Sequence, residues 1–230
     1  MIPLIIVRPE PGASSTLQAA RAMGMEAQAH PIFTIRPVAW TPPPRQSVDA
    51  VLLGSANAIR QGGAGLDGLR GLPAYCVGRA TAEAAQAAGF PVAQVGTGGL
   101  QQVLSALAPE HRRLLRLAGV SHVPLALPPG AMIDTRVVYD SVAVPMDNAF
   151  AQKLQSPAVV LLHSGEAAAH LDTICTEAGI DRARIALAVI GPRVAPLGGQ
   201  GWAALQVAAQ PSDAALLALA REMCQDARWA

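Results

Sequence analysis

Aromatic side chains are scarce in this sequence: three Trp, two Tyr and three Phe, 3% of 230 residues. A single-stranded nucleic-acid platform stacks successive bases on rings, so this composition argues against one. Charge is scarce too, at 14%, and nearly balanced at +1. Without a polybasic run there is no electrostatic footprint for a nucleic acid. Cys76, Cys175 and Cys224 are odd in number, widely spaced and outside any CxxC, which argues against a disulfide framework or a zinc site. Buried thiols are the expectation. The N-terminal apolar run stops after five residues, Pro3 to Val7, with no basic segment ahead of it, unlike a signal peptide. No stretch approaches the roughly 18 uninterrupted apolar residues of a membrane span. A cytoplasmic protein without membrane or nucleic-acid partners is expected. With no heptad or long apolar seam, a monomer is expected as well.

Motifs for common chemistries are also missing. No G-x-G-x-x-G follows a strand, and there is no G-x-x-x-x-G-K-[ST], so the usual nucleotide phosphate cradles are absent. Two serines follow apolar runs, but Leu53-Gly54-Ser55-Ala56-Asn57 and Leu162-His163-Ser164-Gly165-Glu166 do not fit the G-x-S-x-G nucleophile elbow. His163 precedes Ser164, and strand neighbours point to opposite faces, so the two do not form a nucleophile–base pair. The five histidines contain no HExxH and no i, i+4 pair, which disfavours a metal site.

What the chain has is Ala, Leu, Val and Gly in a regular alternation. Apolar runs expected to be strands are Leu4–Val7, Ala27–Pro31, Ala50–Leu53, Ala74–Val77, Pro91–Val95, Leu114–Leu117, Ile133–Tyr139, Val159–Leu162, Ala186–Ile190 and Ala204–Ala208. Helices are expected over Ser14–Met23, Ala56–Gln61, Ala80–Ala88, Leu100–Ala108, Glu166–Glu177, Arg193–Gly199 and Ser212–Cys224. This alternation is the signature of parallel α/β sheets.

The pattern repeats. VDAVLLGSANAIR (48–60) returns as SPAVVLLHSGEAAAHL (156–171), with Ser164 109 positions after Ser55. LPAYCVGRATAEAAQAAGFPV (72–92) returns as RIALAVIGPRVAPLGGQGWAALQV (184–207), with Gly191 113 positions after Gly78. The helix 100–108 has its counterpart in 214–222, and LIIVRPEPG has a weaker echo in LLRLAGVSH. Two similar α/β domains follow from this periodicity. The extended, Pro-punctuated stretches Pro31–Val38 and Val137–Pro145 read as crossing segments. The expected division is a discontinuous domain of 1–34 plus 145–230 and an inserted domain of 38–137, joined by a two-stranded linker at 35–37 and 138–144.

Strand-to-helix corners are then the candidate ligand sites. They are Arg8-Pro9-Glu10, Ser55-Ala56-Asn57, Gly78-Arg79-Ala80-Thr81, Ser164-Gly165 and Gly191-Pro192-Arg193. In a parallel sheet such corners share the carboxyl edge, each offering unpaired N–H groups at a helix start. Ser55 and Ser164 suit N-caps and Pro192 suits a first helical position. A site lined by donors with few charged side chains suits a ligand rich in carboxylates. Tyr139, in RVVYDSVAV at a crossing segment, is the other candidate.

The order of these motifs resembles the uroporphyrinogen-III synthase family. VRPEPG, LLGSANAIR, CVGRATAEAAQAAGF, RVVYDSV, VVLLHSGEAAAHL, AVIGPRVAPLGGQGW and QPSDAALLALA follow one another over nearly the whole chain. The resemblance implies two α/β domains, the N-terminal one completed by the C-terminal part of the chain. It implies a cofactor-free lyase acting on hydroxymethylbilane, a linear tetrapyrrole with eight carboxylates, held largely by backbone N–H groups. Ring closure would invert ring D, with loss of water. Tyr139 matches the family tyrosine proposed to act as the acid, and Thr81 matches the threonine of the VGxxTA motif. Three features depart from the family pattern. Gly54 stands where Thr is usual, Arg193 and Val194 stand where a Thr pair is usual, and the long helix expected within 119–130 is missing. These departures keep open an alternative, a non-catalytic binding protein for a tetrapyrrole or other polyanion.

Overall fold

The computed structural model describes residues 1–226. In chain order its elements are β1 (Leu4–Ile6), α1 (Gly12–Ala22), β2 (Ala27–Ala29), β3 (Phe33–Pro37), β4 (Ala50–Leu53), α2 (Ala56–Gln61), β5 (Ala74–Val77), α3 (Arg79–Ala87), β6 (Val92–Gly96), α4 (Leu100–Leu104), β7 (Arg113–Gly119), β8 (Met132–Ala143), α5 (Asn148–Lys153), β9 (Ala158–Leu162), α6 (Gly165–Glu177), β10 (Ile185–Val189), β11 (Ala204–Val207) and α7 (Asp213–Gln225). Short 3₁₀ segments lie at Arg45–Ser47, Gly63–Leu69, Arg182–Arg184 and Ala195–Gly198.

The chain divides into two units, Met1–Thr34 with the described residues from Val142 on, and Ile35–Ser141. The first holds a five-stranded, wholly parallel sheet in the order β11-β10-β9-β1-β2. The second sheet runs β3-β8-β7-β4-β5-β6. Its last five strands pair in parallel. The linkers expected at 35–37 and 138–144 are strand: β3 and β8 run through those positions. Val38 N–H bonds Val138 O and Val144 N–H bonds Ile32 O, so these two strands run antiparallel.

Apolar runs without alternation explain the layering. Every residue of β4, β9 and β10 is buried, as a strand covered on both faces requires. In the first unit α5 and α6 cover one face through Phe150, Ala168, Leu171 and Ile174. Helices α1 and α7 cover the other through Ala13, Ala20, Leu216, Leu217 and Met223. In the second unit α2 and α3 cover one face. The other is covered by α4 and by an irregular strap, residues 120–131, which adds Leu125 and Leu127. The small alanines let helices approach the sheet closely.

The sequence repeat becomes a permuted topology. Placing β9, β10 and β11 on β4, β5 and β6 puts β1 on β7 and β2 on β8, so both sheets share one spatial order. The correspondence breaks in three places: the strap stands where α1 stands in the first unit, the 3₁₀ turn Ala195–Gly198 stands where α3 stands in the second, and β3 has no counterpart in the first sheet.

Two expected helices differ. The helix expected over Leu100–Ala108 ends at Leu104. Ser105 turns its hydroxyl onto Gln102 O, and Pro109 has no N–H with which to continue the ladder. The helix expected over Arg193–Gly199 is only the 3₁₀ turn Ala195–Gly198, so Pro192 sits in the preceding turn rather than at a first helical position. Pro196 cannot donate to the carbonyl at 192, and Gly198-Gly199 is a poor helix former. The short helix α5 was absent from the expected set; Asp147 caps it through Phe150 N–H.

The corresponding corner glycines also differ. Gly78 has φ +77° and ψ 158°, a region open essentially to glycine alone. Gly191 has no positive φ, and a Cβ there would meet nothing within 4 Å. Gly78→Ala is therefore expected to lower unfolding free energy by about 1–3 kcal/mol, while Gly191→Ala is near neutral. Paired urea denaturation curves measure this, and equal midpoints for the two variants would contradict it.

Candidate functional site

Parallel pairing brings the corners of each unit to one edge. In the second sheet Leu53 faces Leu117 on β7 and Cys76 on β5. Carried two residues on, that register sets Ser55 level with Gly119 on one side and Gly78 on the other. In the first sheet Ile6 faces Leu161 and Leu162 faces Val189. Arg8 is thus level with His163, and Ser164 with Gly191. Each sheet carries a serine–glycine pair on adjacent strands. The β4/β7 and β1/β9 junctions are also where chain order reverses across each sheet, the place where open α/β sheets hold ligands.

The serines act as caps. Ser55 Oγ accepts from Asn57 N–H at 3.2 Å, and Ser164 Oγ accepts from Ala167 N–H at 3.1 Å. Among the described residues neither hydroxyl is hydrogen-bonded to a histidine. These caps fix the backbone whose remaining N–H groups open the helices. Of the other candidate residues, Ala56 and Thr81 are buried, Asn57, Gly78 and Gly165 are half-buried, and Pro192 and Arg193 are exposed. Gly165 leaves room for Leu197 from the turn after β10.

Tyr139 lies opposite Gly119, the last residue of β7. A Cβ at 119 would come within 2.8 Å of the Tyr139 ring carbons and 3.1 Å of its hydroxyl. Glycine at 119 is what lets the ring lie across the strand end, so the phenol sits at the carboxyl edge of the second sheet.

Arg8 has a carboxylate partner within its own unit. Its Nη1 donates to Asp213 Oδ2 at 2.8 Å and Oδ1 at 3.0 Å, and to Thr16 Oγ1 at 3.2 Å. Thr16 also donates to Asp213 Oδ2 at 2.9 Å. A Cβ at Gly12 would fall 2.6 Å from Arg8 Nε, so that glycine makes room for the guanidinium. His163, only 8% exposed, brings Nε2 to 3.3 Å from Asp213 Oδ1. Burial holds His163 below its ordinary range, against the pull of Asp213. Burial alone would raise the Asp213 carboxyl, but His163, Arg8 and Thr16 together hold it well below the usual carboxylate range.

Reading the sequence missed Asp213, Thr16 and the placement of His163. These residues come from α7, α1 and the end of β9, and no local spacing links them. The one local signal was Ser212-Asp213, an N-cap followed by an acid in a first turn. The three cysteines are buried and free, and burial pushes their thiols up, Cys76 and Cys224 to about 11 and Cys175 to about 12.

A depressed carboxyl contributes stability that is full above its unfolded pKa and lost as pH falls through its folded value. Asp213→Asn should therefore cost about 1–2 kcal/mol at pH 7, discounted because Asp213 is 42% exposed. It should also flatten the loss of stability below about pH 4. Thermal denaturation at pH 7 and pH 3 checks this; an unchanged acid slope would contradict it.

The uroporphyrinogen-III synthase HemD family model matches residues 14–218. None of the curated proteins matches the chain. Among solved structures, the uroporphyrinogen-III synthetase of Helicobacter pylori is 16% identical and superposes with a TM-score of 0.64, over 97% of this chain and 100% of that one. A mutant uroporphyrinogen III synthase from Thermus thermophilus is 13% identical, with a TM-score of 0.56 over 98% of this chain and 100% of that one. At such identities the likeness is one of fold, and it extends over the whole length of both relatives. With the family model matching every strand but β1, and the strap between β7 and β8, the chain belongs to the uroporphyrinogen-III synthase family.

Proposed function

We propose that this protein closes hydroxymethylbilane to uroporphyrinogen III, eliminating water and inverting ring D. The observation that carries this reading is the serine–glycine corner built twice at a carboxyl edge, in a chain of this family. Eight carboxylates need many donors. Capped corners supply backbone N–H groups without an excess of cationic side chains, which would hold substrate and product too tightly. Ser55-Ala56-Asn57 and Gly78 with Thr81 serve the second sheet. Ser164-Gly165 and Gly191-Pro192-Arg193 serve the first. Arg8, with its Nη1 on Asp213, shapes the β1 corner and adds charge beside it.

The chemistry divides into proton delivery and positioning. Loss of the hydroxymethyl oxygen as water leaves an azafulvenium cation. Ring D attacks through its substituted carbon to give a spiro intermediate, which fragments and recloses in the inverted order. Closure at the free carbon, without inversion, competes. Holding the chain in one fold therefore supplies most of the selectivity. The Tyr139 hydroxyl, held at the edge by Gly119, donates a proton to the departing oxygen.

The test is to supply freshly generated hydroxymethylbilane, oxidise the products and separate type I from type III isomers. Type III in proportion to protein is expected. Type I at the blank rate, from folded protein, would overturn the reading in favour of a non-catalytic polyanion binder. Tyr139→Phe should lower kcat by about 10–100-fold while leaving KM near its parent value. Gly119→Ala should do the same by displacing the ring. A rise in KM alone for either variant would assign the tyrosine to binding.

A further inference from the structure

Arg116 lies in the middle of β7, is 6% exposed, and belongs to a sheet face that also carries Ala50, Leu52, Tyr75 and Leu114 beneath Leu100 and Leu104 of α4. Its ladder neighbours are Leu52 on β4 and Thr135 on β8. Its one hydrogen bond among the described residues runs from Nη1 to Val123 O, at 2.7 Å. Its Nε is buried with no partner among them. Asp49 and Asp134, on strands or loops of the same sheet, pair with Arg113 and Arg136.

A buried guanidinium without an anion is costly, and folds tolerate one only for a reason. The permuted repeat provides an internal control. The residue that occupies the Arg116 position in the first sheet is Ile6, fully buried between helices and sheet. The architecture therefore does not require a cation there. Burial pulls the Arg116 guanidinium below its ordinary range, with Tyr139 near enough to oppose that shift.

The covering layer over Arg116 also departs from the repeat. Where the first unit has α1, the second has the irregular strap 120–131. Side chains hold the strap: Arg116 on Val123 O, Gln101 on both Ala126 N–H and Ala126 O, and Arg112 on Pro129 O. Val120 and Val123 are exposed along it. Leu125 and Leu127 pack on the core, but the strap has no helix or ladder of its own, and such a segment opens locally at lower cost than a helix does. Opening it would uncover the Arg116 donors three residues before Gly119, where Tyr139 lies.

We propose that Arg116 is a carboxylate-binding residue of this protein, its buried fork taking one carboxylate of a polycarboxylated tetrapyrrole as the strap 120–131 shifts. The inference rests on the reading of the ligand as a tetrapyrrole and goes beyond it by assigning one cationic grip inside the second unit. A planar fork suits a carboxylate in a way that a lysine does not.

The experiment compares Arg116→Met and Arg116→Lys with the parent. Binding of uroporphyrin III is measured by titration, the melting temperature of each free protein is recorded, and isomer formation is assayed separately. Arg116→Met should weaken uroporphyrin III binding about tenfold or more while the free protein melts at or above the parent temperature. Arg116→Lys should melt like the parent and bind with intermediate affinity. Unchanged affinity in both variants, or a Met variant that no longer folds, would make Arg116 a structural residue and overturn the proposal. The two readings fail separately. Arg116-dependent binding without type III product sinks only the catalytic reading. Normal type III synthesis and binding in Arg116→Met sinks only this one.

Discussion

Parallel strands buried on both faces leave the strand ends as the place for chemistry. That constraint governs this molecule. Once β4, β9 and β10 are wholly apolar and covered on both sides, these three strands offer no polar side chain, and the loops that leave their carboxyl ends are where polar groups gather. Ser55, Gly78, Ser164 and Gly191 stand at such ends, and register sets them level in pairs. The corners are built from backbone and small side chains, the kind of donor set that the proposed polycarboxylate ligand can bind and still leave.

The two units answer this constraint differently. At the β1 corner the first unit installs a polar cluster, with Arg8, Thr16 and His163 all directed at Asp213. Among the described residues the equivalent β7 corner of the second unit shows no such cluster, and Gly119 there leaves space for the Tyr139 ring. One repeat has thus become a self-satisfied electrostatic anchor and the other a site with a phenol at its edge. The missing helix over β7 belongs to the same divergence, since it exchanges a rigid cover for the strap above Arg116.

Much of the fold was legible in the sequence because periodicity reports burial. The uninterrupted runs at 50–53 and 158–162, the glycines after Ala-rich segments and the repeat at about 110 residues identified the strands, most helices and the two-sheet class. The capping serines were legible as well, because an N-cap is a local event. Side chains brought together by topology were not. Arg8, Thr16, His163 and Asp213 are spread over 205 positions, and only the β1/β9 pairing together with the packing of α1 and α7 on one face makes them neighbours. Arg116 falls inside the expected strand Leu114–Leu117, but its burial follows from a strap that has no periodicity to read. The expected helix at 193–199 failed for the opposite reason: Pro196 and a glycine pair override an otherwise helical pattern.

The central claim is that backbone donors at the carboxyl edge of both sheets take the ligand's carboxylates. Amide proton–nitrogen shifts followed while uroporphyrin III is titrated into the labelled protein test it most directly. The largest shifts are predicted to fall on Ala56, Thr81, Gly165 and Gly191, with the amino-edge residues Ala50, Ala74 and Ala158 unmoved. Shifts confined to one sheet, or concentrated at the amino edge, would contradict it.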